Sequence, residues 1–416
     1  MNTIDEMRFR WGVVLLALAG FLLRALGLAT QQISDDDITT AYSAMNYMET
    51  GHLGPTMWNH PGLRNILVYA AMKSGNGVWG LKGVSVLLGS VSVPLLAIVS
   101  RRLLNNAPAA LMAALFLAID PLHIDFSRQA VQEVYMPFFT LLGIYLALGF
   151  KEDRAPWKLV AAGLSFGLGI ASKWYVAFPL ATVLGYLLIG VLTERSESAS
   201  SKVQTVFFIV SALLLVPLAV NLLTFIPVFQ RGFTLTEWFE LQRGMYREAV
   251  MHQGWIPTDL ELDHKAYLWF IKPPSFADFT YGPSGPGVLL GIANPLVWLL
   301  TIPAVLYVIV KAVRQNATGL YVLSGLFCLS YFPFVLTSRP IWAHSSFAVM
   351  PFAFMATAYS LTEIAGTRPV RRRFLVLYLL LVLIAAVPLY LLATGKGFDM
   401  PLLKQVIESY RPSQER

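Results

Sequence analysis

The sequence predicts an all-α polytopic membrane protein with about eleven transmembrane helices. Of its 416 residues only 13% are charged and 56% are apolar, against roughly 25% and 45–50% in soluble domains. The mean hydropathy is +0.60, too apolar for the surface of a soluble fold. The apolar residues also come in long runs rather than in alternation, which excludes a lipid-facing β-barrel. A soluble enzyme, a disordered chain and a collagen-like chain are excluded on the same grounds.

A membrane helix takes about 20 apolar residues. Runs of that kind lie at 11–29, 81–99, 107–120, 131–150, 159–172, 174–192, 204–228, 286–310, 319–337, 344–365 and 374–394. The runs at 107–120 and 159–172 are the weakest. The first run follows Met7-Arg8-Phe9-Arg10 like a signal peptide, but without a small-residue cleavage site it reads as a retained helix. Two long polar stretches remain, 30–80 and 229–285. The first contains an amphipathic piece from Leu63 to Met72 that suits an interfacial helix. The second is rich in Trp, Tyr, Pro and Gly and suits a lid or docking loop. The expected organisation is one membrane domain over 1–394 and a short tail over 395–416.

The net charge of +7 is a topology signal and implies no nucleic-acid partner. Arg8, Arg10, Arg101, Arg102, Lys151, Arg154, Lys158, Arg195, Lys202, Lys311, Arg314, Arg368 and the Arg371–Arg373 run gather on one side. The opposite short loops carry single cations, Arg128, Lys173 and Arg339. Positive-inside placement then puts the N-terminus in the cytoplasm, with the C-terminus and both polar stretches outside. The lone Cys328 excludes a disulfide framework and a cysteine-based metal site.

Certain residues are too costly in this setting to pass unremarked. Asp35, Asp36 and Asp37 are adjacent carboxylates just after the first run, where one of them is expected to have a raised pKa. As a plain structural element the triplet would cap a helix over Ile38–Met48. Glu133 enters an apolar run five residues after Arg128, a spacing poorly aligned for a helical ion pair. Lys173-Trp174 interrupts the apolar stretch from Leu159 to Leu192, at an expected outer boundary where a belt tryptophan and a snorkelling lysine are also at home. Arg339 and His344 lie at another such boundary. Cations converging near the outer leaflet suit a phosphate, and a carboxylate beside them suits a general base toward a hydroxyl.

Several of these motifs together resemble a known family. Asp36-Asp37, with Ala44 and Gly51, resembles the acidic motif in the first outer loop of protein O-mannosyltransferases and aminoarabinose transferases, with Asp37 in the place of the usual Glu. His60-Pro61-Gly62 is similar to their His-Pro-Pro, Arg128 with Glu133 to their Arg followed by an acid, and Ser172-Lys173-Trp174 to their Lys-Trp. Ala293-Asn294-Pro295 and Arg339 with His344 complete the series in the same order.

The resemblance implies a type-C (GT-C) membrane glycosyltransferase using a polyprenyl-phosphate sugar donor, with the sugar passed with inversion to an acceptor on the extracytoplasmic side. It implies Asp36 as the general base, with Asp37 and Glu133 orienting the acceptor or supporting the base. Arg128, Lys173, Arg339 and His344 would bind the donor phosphate, and His60, Asp35 and Trp174 would serve the acceptor and loop region. The expected partners are the donor, a protein, lipid or glycan acceptor, and the bilayer of a plasma or inner membrane. No cofactor is expected to be essential, a divalent cation, Mg²⁺ or Mn²⁺, being the alternative. The rival readings are a lipid-linked glycan flippase or transporter, which would place its charges at mid-membrane, and a non-catalytic partner subunit.

Overall fold

A computed structural model of the chain describes residues 3–52, 60–195, 198–251, 265–281, 287–337 and 341–395. Eighteen helices are described, in the order α1 (Thr3–Ala25), α2 (Asp35–Thr50), α3 (Leu63–Met72), α4 (Val78–Leu104), α5 (Ala107–Ile119), α6 (Pro121–Ser127), α7 (Tyr135–Asp153), α8 (Pro156–Ser172) and α9 (Ala177–Thr193). They continue as α10 (Ala199–Val210), α11 (Val216–Leu223), α12 (Ile226–Phe229), α13 (Leu235–Met251), α14 (Pro295–Trp298), α15 (Thr301–Gln315), α16 (Thr318–Leu336), α17 (Met350–Ala365) and α18 (Pro369–Ala393). Among the described residues seven helices are long and apolar enough to cross a membrane, eight when the bent α5–α6 pair counts as one span. The remaining three of the eleven runs are helical too. α8 has 17 residues and α17 has 16, while α7 ends in Lys151-Glu152-Asp153.

Proline and asparagine punctuate these helices for local reasons. Proline stands in the first turn of α5, α6, α8, α14, α17 and α18, where its missing N–H would be unpaired anyway. Asn105 and Asn316 end α4 and α15 in the left-handed conformation, at φ 48° in both. Helix α17 is the axis of the bundle, with every residue from Met350 to Ser360 buried. Helices α1 and α18 lie outermost, only 17% and 11% of their apolar windows being buried. Their exposed Trp11, Leu15, Phe374 and Ile384 form a surface that only lipid satisfies. Gly163 of α8 lets the chain pass against the carbonyl of Ala212, and a Cβ there would overlap that oxygen.

The break between α5 and α6 shapes the region around the acidic motif. Pro121 disfavours helical backbone at the residue before it, and Asp120 is extended at φ −66°, ψ 118°. Its carboxylate then caps α6 by accepting the His123 amide at 3.0 Å, and the axis turns by 58°. The carbonyls freed at the end of α5 are those of Leu117 and Ala118. Both accept from the Arg24 guanidinium, at 3.0 and 3.2 Å, which also meets His123 Nδ1 at 2.8 Å. A fully buried arginine in an apolar helix is thus explained by the break between α5 and the wholly buried α6.

Within this helical fold three short strands form an antiparallel sheet, β1 (Ile33–Ser34), β2 (Ser275–Tyr281) and β3 (Gly287–Ile292), in that order. Ser34 pairs with Thr280 and Phe276 with Gly291. The run at 286–310 therefore starts as a strand, and its helix begins only at Pro295, capped by Asn294. A short apolar run looks alike in a buried strand and a helix. Two further starts are displaced: the helix of the 131–150 run begins at Tyr135, and the 344–365 run opens with a 3₁₀ turn over Ala343–Ala348. The helix expected over Leu63–Met72 is α3, with the same bounds. The tail from 396 onward lies outside the described residues.

Candidate active site

The acidic triplet forms the first turn of α2, but the cap is Ser34, not an aspartate. Its Oγ accepts the Asp37 amide at 3.2 Å, and Asp37 Oδ2 accepts the Ser34 amide at 2.9 Å, a reciprocal capping box. Asp37 also forms an ion pair with Lys82 of α4 at 2.7 Å, both side chains wholly buried. Its Oδ1 accepts the Ala130 amide at 2.7 Å. Asp37 was expected to orient the acceptor or support the base; its oxygens are committed to the helix start, α4 and the turn after α6, which holds the turn that carries Asp36. Successive helical residues point about 100° apart. With Asp37 turned inward, Asp36 is half-buried at the side and Asp35 is exposed, its carboxylate hydrogen-bonded by the Tyr281 hydroxyl.

A second buried pair stands at the site. Glu133 Oε1 and Lys173 Nζ are 2.6 Å apart, 6% and 5% exposed. Glu133 does not sit inside a helix as its sequence position suggested, because α6 ends before Arg128 and α7 starts at Tyr135. Burial works to raise the Glu133 pKa, yet Lys173 outweighs it and the carboxyl lies below its ordinary value. Arg64 of α3 is 2% exposed. It donates to Gln132 Oε1 at 2.6 Å and to Asn65 Oδ1 at 3.3 and 3.1 Å, and it acts electrostatically on Glu133 and Asp36. Half-buried His60 completes this group. Burial first, and then the Lys173 charge, hold it well below its ordinary pKa and therefore neutral, with Arg64 and His344 also within reach.

Asp36 faces this assembly. Its pKa is pushed up to about 7, first by burial and then by the like charges of Asp278 and Glu133, with Arg64 opposing. The triplet was expected to contain one carboxyl with a raised pKa, and Asp36 is that one. Near neutrality such a group can both take up and release a proton.

The structure does not bring all the candidate residues together. Arg128 is fully buried and donates through Nη1 to the carbonyls of Arg24 and Leu26, both at 2.8 Å. That ties it to the end of α1, while its Nε and Nη2 stay buried without a partner among the described residues. His344 sits in the 3₁₀ turn, its ring 6.2 Å from Phe126 and 6.0 Å from Phe276. Trp174 stacks on Tyr246 of α13 at 6.3 Å, joining the site to the second polar stretch. Arg339 lies outside the described residues.

Two members of the site were not singled out in the sequence, Arg64 and Asp278. The signal for Arg64 was its place four residues after His60. Asp278 had no such signal: β2 buries Asp278 and Thr280 and exposes Phe279 and Tyr281, the reverse of what their polarity suggests. Among the described residues no three His, Cys, Asp or Glu side chains are placed to hold a metal ion. Asp37, the most buried acid of the triplet, is paired with Lys82.

Residues 52–233, less than half of the chain, match the family model for dolichyl-phosphate-mannose-protein mannosyltransferase. The mouse (Mus musculus) protein O-mannosyl-transferase 1 is 26% identical over 186 residues, which are 42% of this chain and 24% of that protein; the match thus spans about a quarter of the relative's length. Among solved structures, the S. cerevisiae protein O-mannosyltransferase Pmt1-Pmt2 complex bound to the sugar donor superposes with a TM-score of 0.79 at 13% identity, over 96% of this chain and 92% of that one. The Archaeoglobus fulgidus oligosaccharyltransferase AglB, in complex with an inhibitory peptide and a dolichol-phosphate, has a TM-score of 0.56 at 13% identity, over 99% and 59% of the two chains. For ArnT from Cupriavidus metallidurans the values are 0.55 and 14%, over 94% and 73%. The chain has the GT-C fold of these polytopic membrane proteins and, over residues 52–233, resembles the protein O-mannosyltransferases.

Proposed function

We propose that the chain is an inverting glycosyltransferase that moves a sugar from a polyprenyl-phosphate-linked donor to an acceptor hydroxyl, on a protein, lipid or glycan, at the extracytoplasmic face. The observation that carries this reading is Asp36, a half-buried carboxyl with a pKa near 7, set against a buried group of cations around Lys173 and Arg64. The sugar donor and dolichol-phosphate bound in two of the similar structures support a lipid-phosphate donor.

In this reading Asp36 accepts the proton of the acceptor hydroxyl as that oxygen attacks the anomeric carbon from the face opposite the phosphate. The new C–O bond forms while the bond from carbon to phosphate oxygen breaks, and its electron pair leaves with polyprenyl phosphate. Lys173 and Arg64, with the neutral His60 as a further donor, stabilise the charge gathering on that phosphate. Protonated Asp36 then returns its proton to solvent. The membrane bundle and both polar stretches act as one catalytic unit over 1–394, with the N-terminus cytoplasmic and the site facing outward, in a plasma or inner membrane. Because Asp37 and Asp35 are already bonded to Lys82 and Tyr281, turnover is expected to persist in EDTA.

The test is release of decaprenyl phosphate from decaprenyl-phosphate mannose by the purified full chain, with a serine- and threonine-containing peptide as acceptor. Asp36→Asn is expected to lower turnover by about 10²–10⁴-fold while donor binding persists. Undiminished turnover in that variant would remove Asp36 as the base. Absence of both donor binding and donor turnover, repeated with the glucose and pentose donors, would remove the transferase reading.

A further inference from the structure

The second polar stretch does more than cover the first. Strand β2 pairs with β1 immediately before α2, Ser34 lying opposite Thr280, and its alternation turns Asp278 inward beneath the acidic turn. Asp278 is 6% exposed. Its carboxylate accepts from the Ser34 hydroxyl and from the backbone amide of Asp36, while its Oδ2 is buried with no hydrogen-bond partner among the described residues. An acid in this place holds the start of α2 through the amide of the candidate base, and an unpartnered buried oxygen keeps its negative charge directed at the same turn.

We propose that Asp278 is a positioning residue for Asp36: from the second polar stretch it fixes the Asp36 backbone and keeps the Asp36 carboxyl ready to receive a proton near neutral pH. This rests on the reading of Asp36 as the base. The other groups around Asp36 have their own partners or act in a known direction. Glu133 is paired with Lys173 and Asp37 with Lys82, Asp35 is bonded by Tyr281, His60 is neutral, and Arg64 favours the ionised form. Among the charges, Asp278 is the largest influence favouring the protonated form. Its own pKa is raised to about 6, burial being the main cause, so it is mostly ionised at pH 7, where the base must work. Burial alone would leave Asp36 displaced upward by less, so removing the Asp278 charge should move it down without returning it to the ordinary carboxylate value.

The decisive measurement does not need turnover. In the purified full chain, an infrared difference titration follows the protonated-carboxyl band that disappears in Asp36→Asn. Asp278→Asn is expected to lower the midpoint of that band by about one pH unit, a tenfold change in the ionised fraction on the acid side. Asp278→Ser is a second neutral variant should the first not fold, and Asp278→Glu is expected to keep the midpoint near its wild-type position. With decaprenyl-phosphate mannose as the probe, the acid limb of the turnover profile should move by the same amount. A midpoint that stays in place in the neutral variants overturns the proposal even if turnover falls, since lost activity alone would be a structural effect. Undiminished turnover in Asp36→Asn removes the base reading instead, and the infrared midpoint still decides whether Asp278 sets the proton equilibrium of Asp36.

Discussion

Lys82→Met tests whether the acidic turn is held from inside the bundle. Methionine fits the channel of the lysine stem but takes away the only cation bonded to Asp37 among the described residues, 2.7 Å from Oδ2, with both side chains wholly buried. Breaking a buried pair by removing one partner costs about 3–5 kcal/mol. The Asp37 carboxylate keeps the amides of Ser34 and Ala130, and hydrogen bonds to a charged group contribute roughly 1.5–3 kcal/mol each. The loss should therefore fall at the lower end, about 3 kcal/mol. The double variant Asp37→Asn/Lys82→Met removes both charges and should recover more than half of it, because no buried charge is left uncompensated. The readout is the apparent melting temperature of detergent-solubilised protein, beside Arg8→Met, which disturbs only an exposed pair with Asp5. If Lys82→Met melted with that control, or if the double variant were no better than the single one, the description of the Asp37–Lys82 pair as a buried anchor would be wrong.

Other perturbations follow from the same geometry. Asp36 has a folded-state pKa of about 7, above its unfolded value, so the folded state binds the extra proton between roughly pH 4 and 7 and the protein loses stability as pH rises through that window. Asp36→Asn should accordingly raise the melting temperature at pH 8, with the gain shrinking as pH falls toward 4; a constant gain at all pH values would contradict this. Gly163→Val would drive a branched side chain into the carbonyl of Ala212 and separate α8 from the α10–α11 span. Its expected cost is about 1–3 kcal/mol, seen as lower thermal stability, whereas Gly185→Ala, with open space at its Cβ position, should melt like wild type. Arg24→Met leaves the carbonyls of Leu117 and Ala118 without their donor at about 1–3 kcal/mol each, so the yield of monodisperse protein should fall sharply; wild-type yield and melting would refute the role given to Arg24.

What the sequence reveals here depends on how local each interaction is. Helix α3 is readable from Leu63 to Met72 because amphipathic spacing is a local property. Glu133 and Lys173 are both conspicuous as charges among apolar residues, but their pairing across 40 positions is a product of packing, and neither shows beforehand that its charge is met by the other. Asp37 looks like a companion of Asp36 because adjacency in sequence suggests shared duty. The helical turn sends the two carboxylates in different directions, and only the position of Lys82 on α4 decides which becomes structural. Asp278 passes unnoticed because an acid in a long polar stretch reads as solvated. Its burial depends on β1, a two-residue strand too short to leave a periodic signal. The strand at Gly287–Ile292 is hidden inside an apolar run for the opposite reason: its residues are as hydrophobic as a span.

The Arg24 contacts also bear on the order in which the molecule is assembled. Apart from the Gly20 carbonyl in its own helix, the partners of this guanidinium lie 93 to 103 residues further along the chain, so α1 emerges from the ribosome well before they exist. Arg24 stands in the last turn of its helix, close enough to the boundary for its head to stay hydrated meanwhile. The carbonyls at the break of the α5–α6 pair have no helical donor of their own and need one wherever water is absent. The chain order thus supplies the donor before its acceptors: Arg24 is made before the break in α5–α6 whose carbonyls it satisfies.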